Sequence, residues 1–531
     1  MNYAFILRQL GRLLAVLSGI ILVIWLWSII RWSLDFDFEL AAQWALLATA
    51  GLGALLGYMS WLLGTHLIRP KKNLVTTGAS SRKEMSIGRR EALLLVAIAW
   101  VVVSLLAALP YLLWSWIEQD NPADHPFNSY VNCFFESISG LSTTGASVLT
   151  DIEAMPHSLL LWRALTQWLG GLGIVVLFVA VLPMMGVGGK RLFRIEAPGP
   201  DPEGVRPHIR ETARILWLIY TGMTVALIVA LLIAGMSLFD AVCHAFTTVA
   251  TGGFSNDNSS LGGYRSATID IITMLFMVLA SANFILYFAA ARGKFSSILR
   301  DTELRVYVGV IIIGVLLIAG TLWVTQTSII TTEGVAIAPT AGASLLYGSF
   351  TAISQQTTTG FTVADFSNWP FLATATIIGL MFIGGSAGST AGGIKIARIW
   401  IGLRVILGEV ERVFRPNVVR PLKVSGTTID EELKLGTLAY LVLIVLLFIS
   451  GAILMMLFEG GNEACSFATA SSASLATLCT VGPGLGAIGA LDNYNWMTDA
   501  SKLLLCLWMT LGRLEIFTLL VLLSPRFWSD R

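Results

Sequence analysis

Four short Thr/Gly stretches, each set between apolar runs, constrain this 531-residue chain more than any other feature. They are Ser142-Thr143-Thr144-Gly145, Thr251-Gly252-Gly253-Phe254, Thr357-Thr358-Thr359-Gly360-Phe361 and Thr480-Val481-Gly482-Pro483-Gly484. Marked at Gly145, Gly253, Gly360 and Gly482, they recur at intervals of 108, 107 and 122 residues. Such a recurrence predicts one unit used four times. Lipid cannot satisfy the backbone polar groups of a Thr/Gly stretch, so at membrane depth these stretches must line a cavity. A pore is the first expectation.

Membrane depth is the right setting. The chain is 55% apolar and 13% charged, with a mean hydropathy of +0.76. Soluble domains carry about a quarter charged residues, so this is an integral membrane protein. The net charge of +1 says little as a total. Five cysteines form no CxxC pair, and five histidines form no HExxH or similar cluster, so the cysteines read as buried thiols and no metal centre is expected. No nucleophile–base set falls in the spans, which argues against a membrane-embedded enzyme. Arg8 and Arg12 precede an apolar run at 13–30 that lacks a cleavage site, which reads as a retained first helix.

Runs at 13–30 and 41–67 make a first helix pair, joined by the acidic link Asp35-Phe36-Asp37-Phe38-Glu39. After them a unit recurs: long helix, short helix, Thr/Gly stretch, long helix. Its parts fall at 92–116, 130–140 and 159–185, then at 212–234, 238–249 and 268–291. They recur at 306–323, 343–355 and 372–403, and finally at 435–458, 464–478 and 498–524. The short helices, at 11 to 15 residues, fall short of the ~20 a span needs, so each dips in and returns. The expected fold is an all-α polytopic membrane protein with four pseudo-symmetric helix–pore-loop–helix units around one pore. A two-helix N-terminal pair at 1–68 precedes the units, which cover 69–190, 191–295, 296–410 and 411–531. Ten spans and four re-entrant loops result.

Basic residues such as Arg69, Lys71, Lys190, Arg191, Arg292, Arg404, Arg412, Arg420 and Arg526 collect on one side. Acidic residues such as Asp151, Asp257, Asp365, Glu459 and Asp492 collect on the other. By the positive-inside rule both termini are cytoplasmic and the loops enter from outside.

Four short helices pointing their C-terminal ends inward would place about half a negative charge each near one axis. Glycine permits the backbone angles that turn successive carbonyls toward that axis, and threonine adds hydroxyl oxygens. Rings of neutral oxygens can replace the hydration shell of a monovalent cation without trapping it. The filter expectation therefore covers Thr143, Thr144, Gly145, Thr251, Gly252, Gly253, Thr358, Thr359, Gly360, Thr480, Val481 and Gly482, with potassium as the bound ion. In the second stretch, alignment on Thr-Gly selects Gly252 and alignment on Gly-Phe selects Gly253. Glu136, Asp240 and Glu463, beside the short helices, could draw cations to the mouth or cap helix ends.

Thr480-Val481-Gly482-Pro483-Gly484 resembles a degenerate potassium-channel filter. The four-unit chain is similar to the TrkH/TrkG potassium-uptake subunits of the Trk/Ktr/HKT superfamily. Supporting stretches are Gly186-Val187-Gly188-Gly189, the Gly/Ser run from Gly384 to Lys395, and Leu511-Gly512-Arg513-Leu514-Glu515-Ile516-Phe517-Thr518. That resemblance implies potassium uptake across the bacterial inner membrane by a homodimer with one pore per subunit. It implies a cytoplasmic nucleotide-binding gating ring of the TrkA type as partner. No resident cofactor or nucleic acid is expected, with potassium as the transported ion and the lipid bilayer as the surroundings. Sodium-conducting plant members carry serine at the first filter glycine, so Gly145 implies potassium preference. A sodium- or proton-coupled symporter of the same superfamily is the alternative.

The run at 384–393 sits inside the third unit's second span, where glycine disfavours continuous helix. It departs from the phosphate-binding pattern G-x-x-x-x-G-K-[ST], because Ile394 precedes Lys395. A tight helix-packing patch is the plain alternative. The resemblance makes it an intramembrane gate, with Gly384, Gly385, Gly388, Gly392, Gly393 and Lys395 as its residues. Arg513 is mid-span, where an unpaired charge costs about 2.5–3.5 kcal/mol, so it must face a cavity or a partner. It is expected to be an electrostatic barrier held near the 384–393 loop, or else a tie between helices through carbonyls.

Overall fold

The computed structural model describes residues 1–33, 39–66, 89–118, 122, 124–181, 209–293, 295–417, 422–424, 427–514 and 516–529. Outside them lie 35–38 of the acidic link, Arg69, Lys71, Gly186 to Gly189, Lys190, Arg191, Arg420 and Glu515.

The chain is mostly helical. Its principal helices are α1 (Tyr3–Ser33), α2 (Leu40–His66), α3 (Arg89–Ile117), α4 (Tyr130–Leu141), α5 (His157–Val181), α6 (Ile209–Ile233), α7 (Leu238–Val249) and α8 (Ala267–Ala280). There follow α9 (Phe284–Ala291), α10 (Thr302–Val324), α11 (Ala341–Gln356), α12 (Phe371–Phe382), α13 (Ile396–Phe414), α14 (Glu431–Phe458), α15 (Phe467–Leu478) and α16 (Asp499–Arg513). Among the described residues six helices are long and apolar enough to cross a membrane, or eight if each bent pair is one span. Exposed Leu435, Val442, Leu446, Ile449, Ile453 and Leu457 on α14 show the outward apolar face that lipid favours.

Two expected spans are built differently. The run at 268–291 is not one helix, because α8 and α9 meet at 91°. The Asn283 side chain accepts the Ile285 N–H and starts a new helix there, a local bond that competes with helix continuation. The last run stops at Arg513, and a short helix Ile516–Leu520 follows. Short strands also interrupt the all-α expectation: Ile329–Thr331 pairs antiparallel with Ala336–Ile337 and with Ala364–Asp365, and Lys423–Val424 pairs with Thr427–Thr428.

The chain forms two compact units. The first contains 1–134, 156–162 and 517–531. In it α1 and α2 pack closely: a Cβ on Gly11 would fall 2.5 Å from the Gly57 carbonyl oxygen, so small residues set this approach. Glu39 caps α5, its carboxylate accepting the His157 and Ser158 N–H groups at 2.7 and 3.0 Å. The second unit contains 135–155 and 163–516, including all four Thr/Gly stretches. Part of its core joins Tyr220, Leu227, Ala245, Phe284, Phe350 and Phe361.

Candidate functional site

Four short helices, α4, α7, α11 and α15, run into the Thr/Gly stretches. At 12 to 16 residues they are close to the expected lengths. Ser237, Thr340 and Ser466 cap α7, α11 and α15 by accepting the N–H groups of Asp240, Ala343 and Thr469.

All four helices end alike. Thr144, Gly252, Thr359 and Val481 donate their N–H groups to Ser139, Thr247, Ser354 and Ala476, five residues back, at 2.8–3.0 Å. Thr143, Thr251, Thr358 and Thr480 donate three residues back, to Gly140, Thr248, Gln355 and Thr477. This is the Schellman closure, whose pivot residue must be left-handed and is usually glycine. Here the pivot is threonine every time, with φ of 54°, 54°, 55° and 52°. A β-branched residue in that region is strained by about 1–2 kcal/mol, and four repetitions mark a site where backbone direction matters more than comfort. Two residues on, Gly145, Gly253, Gly360 and Gly482 have φ of 81°, 78°, 81° and 98°. The second stretch therefore places Gly253, with Gly252 in the slot before it.

The four glycines close on one another. A Cβ on Gly145 would lie 2.1 Å from the carbonyl oxygen of Gly252, and one on Gly253 would lie 1.9 Å from that of Thr359. From Gly360 the corresponding distance is 1.9 Å to Val481, and from Gly482 it is 2.5 Å to Thr144. Each glycine thus meets the carbonyl preceding the next stretch's glycine, and the fourth returns to the first. Only glycine leaves room for this cycle. All four line a depression of about 160 Å³, with Asp257 and Asp492 in its wall. Burial pushes both carboxyls up from their ordinary value, and nearby carboxylates add to this: Glu153, Glu333 and Asp240 at Asp257, and Asp365 at Asp492.

Polar contacts behind the cycle hold it. Gln167 donates to the Gly252 carbonyl at 2.7 Å and accepts the Phe254 N–H at 3.1 Å. The Tyr494 hydroxyl donates to the Gly482 carbonyl at 2.7 Å, and its N–H reaches the Ser147 carbonyl at 2.9 Å. Glu136 does not face the mouth. It is wholly buried, 2.6 Å from Arg163 Nε, and accepts from Val148 N–H and Ser147 Oγ. Arg163 in turn donates to the Ser255 carbonyl at 2.9 Å and lies 3.5 Å over the Phe254 ring. The pair ties the exit of the first stretch to that of the second, and its hydrogen bonds offset the cost of burying two charges. Asp240 accepts from Ser237 Oγ and Asn256 Nδ2 at its helix start, while Glu463 is exposed.

The Gly/Ser run lies against the same helix ends. It breaks the span between α12 and α13, and its neck closes through Gly384 N–H to Ile394 O at 3.1 Å and Ile396 N–H to Gly385 O at 3.2 Å. Gly388 and Gly393 adopt φ of 70° and 64°. The Gly392 N–H donates to Thr358 Oγ1 at 2.7 Å, and a Cβ on Gly392 would lie 1.9 Å from Thr480 Oγ1. Thr390 Oγ1 donates to the Val249 carbonyl, the C-terminal end of α7, at 3.0 Å. Lys395 Nζ turns back onto the Ala391 carbonyl. Arg513, 3% exposed, donates to the carbonyls of Thr390 at 2.7 Å and Gly170 at 3.3 Å. Arg513 thus sits at the loop, as expected, and ties segments through carbonyls.

The residue-by-residue reading missed Arg163, Gln167 and Glu303. Arg163 carried the same signal as Arg513, an ionisable residue inside an apolar run. Gln167 and Glu303 had none, since an amide or an end-of-helix carboxylate is ordinary in sequence.

Comparison with known proteins shows the family. Residues 73–530 match the family described as "TrkH: Cation transport protein". The chain belongs to the TrkH family. It is a multi-pass membrane protein, and its TrkH-family relatives align over most of its length. It is 37% identical to the Trk system potassium uptake protein TrkH of Salmonella typhimurium, over 85% of this chain and 88% of that one. It is 31% identical to TrkG of Escherichia coli, over 85% and 88%. The crystal structure of the potassium transporter TrkH from Vibrio parahaemolyticus superposes over 100% of both chains, with a TM-score of 0.81 and 31% identity.

Proposed function

We propose that the chain takes up potassium, and that the four Thr/Gly stretches form its selectivity filter. The closed cycle of glycines and carbonyls carries this reading. Four stretches with the same alternation of left-handed Thr and Gly turn neutral oxygens to one locus at the negative ends of four helix dipoles. Oxygens of that kind compensate dehydration of a monovalent cation. The Oγ1 atoms of Thr143 and Thr480 are buried without a protein partner and suit a ligand role at the inner end.

In this reading the 384–395 loop blocks the path beneath the filter, and Arg513 both fixes the loop and repels cations. The four units lie at 69–190, 191–295, 296–410 and 411–531. The chain works as a homodimer in the inner membrane, with both termini in the cytoplasm and a TrkA-type nucleotide-binding ring acting on the gate. Its named relatives are potassium uptake proteins, which supports potassium as the cargo.

Expression, with a TrkA-type partner, in a bacterium lacking potassium uptake is expected to restore growth at micromolar potassium. Unrescued growth despite membrane-inserted protein would overturn the proposal.

A further inference from the structure

The Gly-rich loop is held by a third charged residue, on a different helix from Arg513. Glu303 lies in the first turn of α10, after the Asp301 cap, and is 5% exposed. Its Oε1 accepts the Ala387 N–H at 2.7 Å, in the first half of the loop. Ala397, in the first turn of α13, and the Lys395 ammonium lie near enough to act on it electrostatically. One side chain therefore bonds the loop after α12 and lies beside the start of the helix that resumes the span. A buried carboxylate without such donors would be costly, so its presence and its grip depend on each other.

We infer that Glu303 is a positioning residue for the loop, anchoring its first half and holding it against the pore-helix ends. The inference rests on the reading of this loop as the gate. Glu303 and Arg513 act on complementary groups. The carboxylate takes an N–H from Ala387, and the guanidinium donates to the carbonyl of Thr390 three residues later. Beside them Ser386 N–H donates to the Ser281 carbonyl at 2.9 Å, and the Gly388 carbonyl accepts the Phe284 N–H at 3.3 Å. Those bonds come from the bend between α8 and α9, so the loop is pinned by backbone on one flank and by two charges on the others. Removing either side chain frees one half of the loop.

The test is potassium current through the purified full-length chain in planar bilayers, for Glu303→Ala, Glu303→Gln, Arg513→Ala and the double variant Glu303→Ala/Arg513→Ala. Loss of this buried hydrogen bond, which leaves the Ala387 N–H unpaired, is expected to raise the open fraction about tenfold in Glu303→Ala. Glu303→Gln keeps the shape and a weaker acceptor, so it falls between wild type and alanine and guards against misfolding. Because both residues hold one loop, the double variant opens less than the product of the single effects, a coupling that a merely structural role would not give. The potassium/sodium reversal potential stays at the wild-type value throughout. An unchanged open fraction in both Glu303 variants, with Arg513→Ala effective, overturns the inference and leaves the gate reading intact. A shifted reversal potential in Glu303→Gln also overturns it, by placing the residue's effect in the filter. No effect from either residue overturns the gate reading itself.

Discussion

Potassium flux through the chain is expected to fall by more than tenfold when Gly360 becomes alanine, with the protein still folded in the membrane. At φ 81° an added Cβ costs about 1–2 kcal/mol in backbone strain alone. The same Cβ would fall 1.9 Å from the Val481 carbonyl oxygen and 2.8 Å from Pro483 Cδ. Neither neighbour is the flexible end of a side chain, so the Val481 carbonyl must turn away. That carbonyl is one of the four in the cycle, and a barrier change of about 1.4 kcal/mol is already tenfold in rate. Tracer rubidium uptake into proteoliposomes checks the result. Gly320→Ala is the control, because a Cβ there meets nothing within 4 Å in α10. Equal fluxes in the two variants would mean that the glycine cycle does not line the path.

Arg513→Ala is expected to act in the opposite direction, raising flux by well over tenfold without the partner ring present. Two effects add. At an effective dielectric of about 20, a unit charge about 8 Å from a passing cation repels it by roughly 2 kcal/mol. The guanidinium also holds the loop through Thr390, so its loss frees the segment proposed to close the path. Arg513→Lys separates the two effects. It keeps the charge but lacks the planar fork that reaches Thr390 and Gly170 together. Flux near wild type in the lysine variant assigns the effect to charge, and flux near the alanine variant assigns it to the tether. Unchanged rubidium flux in Arg513→Ala would remove Arg513 from the gate.

Much of this site was legible in the amino-acid order. The interval between Thr/Gly stretches announces four like elements, and helix α7 spans the residues that apolar patterning marks. The break at 384–393 follows from glycine's poor fit to a helix. What the order leaves open is set by backbone angles and by distant partners. Gly252 and Gly253 are indistinguishable as letters, and only the positive φ at Gly253 aligns it with its three counterparts. Threonine at a left-handed pivot runs against local preference, so no propensity argument would place it there. The bend between α8 and α9 turns on one asparagine cap inside an apolar run. Glu136 reads as a mouth carboxylate or a helix cap until Arg163, 27 residues on, is seen to take it into the interior.

The reversal potential of the purified chain in opposing potassium and sodium gradients tests the central claim most directly. A filter built from the four-glycine cycle predicts a reversal potential that moves by about 59 mV for each tenfold change in potassium and stays nearly still when sodium is varied. A reversal potential that follows sodium as closely as potassium would contradict it.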